Sequence, residues 1–171
     1  MKTILLVRHG KSDWSSDARG DFDRPLADRG SRDAPMMGRM LKNYGLTPEL
    51  VLSSPAKRAA ETTRLISDAV GIGSGTVKFV DAFYGCSTSA YYAEARRMDD
   101  SVETLMIVGH NPTMAEAVSS FAADGRLSVD FPTCAVACLD FHGSWSGCAP
   151  GVCSLRFFAI PKLIKKAMAE A

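Results

Sequence analysis

The chain has 171 residues, 46% hydrophobic and 23% charged, which is enough for one domain with a sizeable core and short for two. A formal net charge of +1 without a long basic block points away from nucleic-acid and membrane partners, and no apolar run has the length to span a bilayer. Met1-Lys2-Thr3 enters the first apolar run without the segment and cleavage site of a signal peptide, so the expected location is cytoplasmic.

Ile4-Leu5-Leu6-Val7 reads as a strand buried on both faces, ending abruptly at Arg8-His9-Gly10. The glycine permits a sharp turn and close backbone approach to a ligand. Lys11 to Asp23 is polar and reads as a loop on the rim of any site that Arg8 and His9 belong to. A helix follows Gly30, with Ala34, Met37, Leu41 and Tyr44 as its apolar stripe and Gly45 at its end. Pro35 within it is expected near the first turn or at a kink. Leu50-Val51-Leu52 is a second strand, and Ser54-Pro55 reads as N-cap and first residue of a helix running to about Ala69.

The glycine-rich stretch Gly71 to Gly75 follows a helix and precedes a strand, the reverse of a phosphate-binding glycine loop, so it is a connector. Thr76 to Val80 is the third strand, leading through Asp81 to a helix over Ser89 to Met98, with Tyr91, Tyr92 and Ala95 facing the core. Leu105 to Val108 is a fourth buried strand, stopping at Gly109-His110-Asn111-Pro112 ahead of a helix from Thr113 to Ala122. Ala135 to Phe141 and Val152 to Ile160 form two strands about a hairpin signal, Gly143 to Gly147, with His142 as a solvated loop residue. Pro161 opens a basic amphipathic helix to the C-terminus, read as docked on the domain.

Five cysteines make an odd count, and Cys86, Cys134, Cys138, Cys148 and Cys153 read as small packing residues, not as a disulfide framework or a metal site. The alternation of strands and helices predicts one α/β domain over residues 1–171, a three-layer α/β/α sandwich on a mostly parallel sheet. In such a sheet ligands collect beyond the carboxyl ends of the strands. Those ends bring Arg8 and His9, Arg58 in the first turn of the second helix, Asp81, and His110 to one edge. Alone, Arg58 reads as a surface arginine, Asp81 as a turn former, and either histidine as a core residue. Their shared position at strand ends makes the case.

Arg8-His9-Gly10, Arg58 within Ser53-Ser54-Pro55-Ala56-Lys57-Arg58-Ala59, and Gly109-His110-Asn111-Pro112 resemble the motifs of the histidine phosphatase superfamily, in order and over nearly the whole chain. Short length, Arg24-Pro25-Leu26 and the Gly-His-Asn-Pro form resemble SixA-type phosphohistidine phosphatases most. The resemblance implies a phosphoglycerate mutase-like fold, here with no large lid insertion after the third strand. It also implies a phosphatase with His9 as nucleophile, Arg8, Arg58 and His110 as a phosphate clamp, and Asp81 as candidate general acid. Lys11, Ser12 and Lys57 are candidate rim residues.

The substrate class implied is a phosphorylated protein, with a small phosphate monoester phosphatase or mutase as the alternative and a silent protein-binding module as a third reading. The nucleophile and the charge-stabilising groups are all side chains, so neither a metal nor another cofactor is implied.

Overall fold

The computed structural model describes residues 1–170. Six strands form one sheet: β1 (Lys2–Arg8), β2 (Leu50–Ser53), β3 (Val77–Phe79), β4 (Thr104–Gly109), β5 (Val136–Phe141) and β6 (Ser154–Ala159), in spatial order β3-β2-β4-β1-β5-β6. The pairings β1–β4, β2–β4 and β2–β3 are parallel, whereas β1–β5 and β5–β6 are antiparallel. The sheet is thus mostly parallel, with a two-stranded antiparallel flank.

Five helices cover it: α1 (Asp28–Asn43), α2 (Lys57–Val70), α3 (Thr88–Ala95), α4 (Thr113–Ala123) and α5 (Pro161–Ala169). Alternation along the central strands sorts their side chains into two cores. Ile4, Leu6, Leu105 and Ile107 pack with Tyr91, Tyr92, Met114 and Phe121 of α3 and α4. Leu5, Val7, Met106 and Val108 pack with Ala34, Met37 and Leu41 of α1, Ile66 of α2 and, at the margin, Ile164 of α5. The three-layer α/β/α arrangement follows from that division, and no large insertion separates β3 from α3: a 3-10 turn, Asp81–Phe83, leads to α3.

Several local expectations are corrected. Helix α1 begins at Asp28, so Pro35 stands well inside it. The amide it lacks would have bonded to the carbonyl of Ser31, which lies on the exposed face where water can serve it. Helix α2 begins at Lys57 with Ala56 at its cap, and Ser54 Oγ accepts from Ala56 N–H at 3.3 Å ahead of the helix. The β5–β6 connection is longer than a tight hairpin, and Trp145 within it is fully buried, its indole N–H donating to Val102 O at 2.6 Å. His142 is exposed and Lys165 of α5 reaches buried Asp33 at 2.5 Å, as a docked helix would. The expected run of α5 to the C-terminus ends at Ala171, outside the described residues.

Cys134 and Cys138 face one core and Cys148 and Cys153 the other, with burial pushing their thiols up to about 11 or 12. Among the described residues no helix is long and apolar enough to cross a membrane.

Candidate active site

Three strands end together. His9 N–H donates to Gly109 O at 3.0 Å, Ser54 N–H to Val108 O at 3.0 Å, and Cys134 N–H to the carbonyls of Arg8 and His9, both at 3.1 Å. These bonds fix the residues that follow β1, β2 and β4 on one edge. Gly10 contributes close packing, since a Cβ there would meet Gly30 Cα at 3.1 Å and Leu26 Cδ2 at 3.0 Å. The neighbour it approaches is the start of α1.

His9 is 7% exposed. Its Nδ1 lies 2.7 Å from Gly10 O, and because a carbonyl only accepts, Nδ1 carries the proton and Nε2 the lone pair. Arg58 Nε–H donates to that Nε2 at 3.2 Å. Burial pushes the His9 pKa down to about 3 against the Gly10 hydrogen bond, with His110, Arg58 and Arg8 adding to the fall, so the ring is neutral.

Arg58, the second residue of α2, is buried and reaches back over His9. Its Nη1 donates to Asp21 O at 2.6 Å and its Nη2 to Asp21 Oδ2 at 2.9 Å. Asp21 opens a short 3-10 turn, Asp21–Asp23, and also accepts from Arg24 Nε at 3.0 Å and from the Tyr84 hydroxyl at 2.9 Å. Partial burial opposes its ionisation, but the Arg24 and Tyr84 hydrogen bonds and the Arg58 charge outweigh it and hold the carboxyl well below the usual range. Thr62 ties α2 to the β1 turn, donating to Arg58 O at 2.6 Å and accepting from Gly10 N–H at 2.9 Å.

His110 stands with its ring 5.0 Å from that of His9 and 5.7 Å from Tyr84, centroid to centroid. Its Nε2 is 2.8 Å from Ser54 Oγ, and its Nδ1 is buried with no partner among the described residues. Burial, then Arg58, lowers its pKa to about 4, with Asp21 pulling the other way. A Cβ at Gly109 would sit 2.2 Å from the Tyr91 hydroxyl, so glycine is required just before this histidine. Arg8 donates through Nη1 to Phe131 O at 2.7 Å, while its buried Nε has no partner among the described residues. Burial lowers its pKa against the pull of Asp130.

The fold therefore gathers Arg8, His9, Arg58 and His110. Asp81 opens the 3-10 turn after β3 with its carboxylate exposed, and it shares no hydrogen bond or ion pair with the cluster among the described residues. Asp21, Tyr84 and Ser54 belong to the site without having been singled out in the sequence. Asp21 sits in the loop expected at the rim, but nothing marks it out from Asp13, Asp17 or Asp23. Of the rim candidates, Ser12 is buried and accepts from Arg24 Nη1 at 2.9 Å, while Lys11 and Lys57 are exposed. Trp14, Phe22 and Tyr84 present exposed rings, Arg24 stacking 3.6 Å over Trp14 and Phe22 meeting Tyr84 edge-on at 5.1 Å. Chemically, the cluster holds two guanidinium groups and two neutral imidazoles, with Arg8 Nε and His110 Nδ1 buried and without partners among the described residues, a setting for the oxygens of an anion.

The model of the histidine phosphatase superfamily (branch 1) matches residues 4–86. The chain is 34% identical over 164 residues to an uncharacterised protein of Mycobacterium tuberculosis, covering 91% of this chain and 100% of that one. Two solved structures that carry the provisional name phosphohistidine phosphatase SixA superpose over 94% of this chain. One, from Agrobacterium tumefaciens, is 28% identical with a TM-score of 0.78 over 98% of its length. The other, from Nakamurella multipartitia, is 26% identical with a TM-score of 0.80 over 96%.

Proposed function

Because the chain belongs to the histidine phosphatase superfamily, on its SixA-type side, we propose that it is a single-domain phosphatase that dephosphorylates phosphohistidine on a protein through a phospho-His9 intermediate. The observation that carries this reading is the preset state of His9: neutral, with its proton held at Nδ1 by Gly10 O and its lone pair at Nε2 beside the Arg58 guanidinium.

In the first step His9 Nε2 attacks phosphorus in line. The phosphorus–nitrogen bond of the substrate breaks, and its electron pair leaves with the substrate ring, which carries a proton on its other nitrogen and so departs as a neutral imidazole. Arg8, Arg58 and the Nδ1–H of His110 meet the phosphoryl oxygens, where their hydrogen bonds strengthen as charge develops. In the second step water attacks the phosphorus of phospho-His9 and loses its proton to solvent. His9 departs as a neutral imidazole with its tautomer still held by Gly10, and inorganic phosphate is released.

The leaving group favours phosphohistidine over an ester. An alkoxide needs a proton as it leaves, whereas a phosphohistidine ring already protonated at its other nitrogen leaves as neutral imidazole, a far weaker base. Asp21 is ionised by its partners and Asp81 is exposed outside the hydrogen-bonded cluster, so the proposal gives neither a proton to deliver in the first step. The names of the two SixA structures point the same way.

Side-by-side kinetics on a phosphohistidine-bearing protein and a panel of small phosphate monoesters test the reading. The expected result is a higher kcat/KM on the protein, with turnover and acid-labile phospho-enzyme both abolished in His9→Ala. Preference for a monoester would overturn the substrate class, and labelling that persisted in His9→Ala would reassign the nucleophile.

A further inference from the structure

We propose that Ser54 is a positioning residue that fixes His110 as its Nδ1–H tautomer, so that His110 meets the phosphoryl group as a donor. The inference rests on the reading of His110 as a phosphate ligand and explains how a neutral imidazole comes to present a proton there.

The argument is a count of donors and acceptors. Ser54 is fully buried immediately after β2. Its Oγ accepts from Ala56 N–H at 3.3 Å, so its own hydroxyl proton needs an acceptor. The neighbouring serine does not supply one: Ser53 Oγ donates to Ser54 O at 2.9 Å and accepts from Thr63 Oγ1 at 2.8 Å. His110 Nε2, at 2.8 Å, is the acceptor that the structure gives Ser54 among the described residues. Nε2 therefore uses its lone pair, and the single proton of the neutral ring sits on Nδ1. That nitrogen is buried with no protein partner among the described residues, as a donor kept for an incoming oxygen would be. Burial and the Arg58 charge keep the ring from taking a second proton, which would make the tautomer irrelevant.

The opposite tautomer fails on both sides. Ser54 Oγ would then receive two donors, Ala56 N–H and His110 Nε2–H, and its own proton would lack an acceptor. Nδ1 would turn a lone pair toward an anion and repel it. The two site histidines thus share a tautomer for opposite uses. A carbonyl acceptor at Nδ1 leaves His9 with its lone pair at Nε2, and a hydroxyl donor at Nε2 leaves His110 with its proton at Nδ1.

Two-bond proton–nitrogen correlation spectra of the full chain, labelled with nitrogen-15, read this directly. With only His9, His110 and His142 in the sequence, His9→Ala and His142→Gln variants complete the assignment. The resting enzyme at neutral pH should show His110 with a pyrrole-type Nδ1 and a pyridine-type Nε2. Ser54→Ala should lose that one-sided pattern and weaken the binding of inorganic phosphate about tenfold, the scale of one hydrogen bond to a charged group. Ser54→Thr, which keeps the hydroxyl, should restore both.

A pyridine-type Nδ1 in the wild-type enzyme overturns the proposal without any variant, and so does a His110 spectrum unchanged by Ser54→Ala. Failure of the phosphatase reading looks different: no phosphorylated substrate is turned over while the Nδ1–H pattern stands.

Discussion

Replacing Arg58 by Lys tests whether the site needs a guanidinium or merely a positive charge. Arg58 makes three bonds at once: Nε to His9 Nε2 at 3.2 Å, Nη1 to Asp21 O at 2.6 Å and Nη2 to Asp21 Oδ2 at 2.9 Å. A lysine ammonium is a point charge on a flexible stem and cannot hold that fan of contacts while also presenting a donor pair to a phosphoryl group. The buried bond to His9 is worth about 1 kcal/mol of stability. The ion pair to Asp21 adds about 1 kcal/mol more, discounted because the Asp21 side chain is 48% exposed.

Arg58→Lys should therefore lower the unfolding free energy by about 2 kcal/mol in urea titrations. Phosphoryl transfer should slow by roughly 10²–10³, the cost of removing one preorganised transition-state donor. Rapid-quench measurement of phospho-enzyme formation isolates that step, and Arg58→Ala supplies the reference. Lys should fall within a few-fold of Ala. Retention of more than about a third of the wild-type rate in Arg58→Lys would refute the reasoning, because charge alone would then suffice.

The site histidines also set an acid sensitivity. Their native pKa values of about 3 and about 4 lie below the ordinary 6.5, so the unfolded chain binds more protons as pH falls through 6.5. Stability should drop with falling pH at up to about 1.4 kcal/mol per unit for each ring, and His110→Asn should show a shallower fall in urea melts between pH 7 and 4.5; an unchanged slope would contradict the shift. Initial rates corrected for folded fraction should hold from pH 7 to 5, since His9, the proposed nucleophile, stays neutral; a decline centred near 6.5 would place His9 in a more solvated setting. Asp81→Asn should change turnover of phosphohistidine and of monoesters by less than about twofold, whereas a selective loss on monoesters would make it their general acid. Activity should survive prolonged treatment with a chelator, and restoration of lost activity by a divalent cation would replace the side-chain clamp with metal chemistry.

The legible part of the fold is the part that repeats a simple rule. Apolar runs that stop at polar residues mark β1 and β4 as strands buried on both faces, and helices between strands impose parallel pairing with its shared carboxyl edge. That is enough to bring Arg8, His9 and His110 together before any coordinates are known. Helix α1, by contrast, runs through Pro35 because the orphaned carbonyl of Ser31 faces solvent, a fact of tertiary placement. Asp21 is hidden for the same reason. A carboxylate in a polar loop gains its role only when Arg58, Arg24 and Tyr84 converge on it from other elements.

The misreading of Ser54 as a helix cap and the place of Asp81 outside the hydrogen-bonded cluster both show that local signals are not complete. A serine before proline satisfies the rule for a helix N-cap, yet Ser54 lies at a strand end, where its hydroxyl meets His110 Nε2 and accepts from Ala56 N–H, and the helix starts only at Lys57. For Asp81 the rule that strand ends share an edge omits distance. In the order β3-β2-β4-β1 the end of β3 is three strands from His9, about 14 Å at ~4.8 Å per strand, so Asp81 stays outside the hydrogen bonds around His9. Arg58 spans its shorter gap because its side chain is long and starts on a helix that crosses over the edge. From the β3 side it is Tyr84, three residues after Asp81 and with a longer side chain, that reaches the cluster, through Asp21. Reach along the sheet, set by strand order and side-chain length, decides which strand-end residues enter this site.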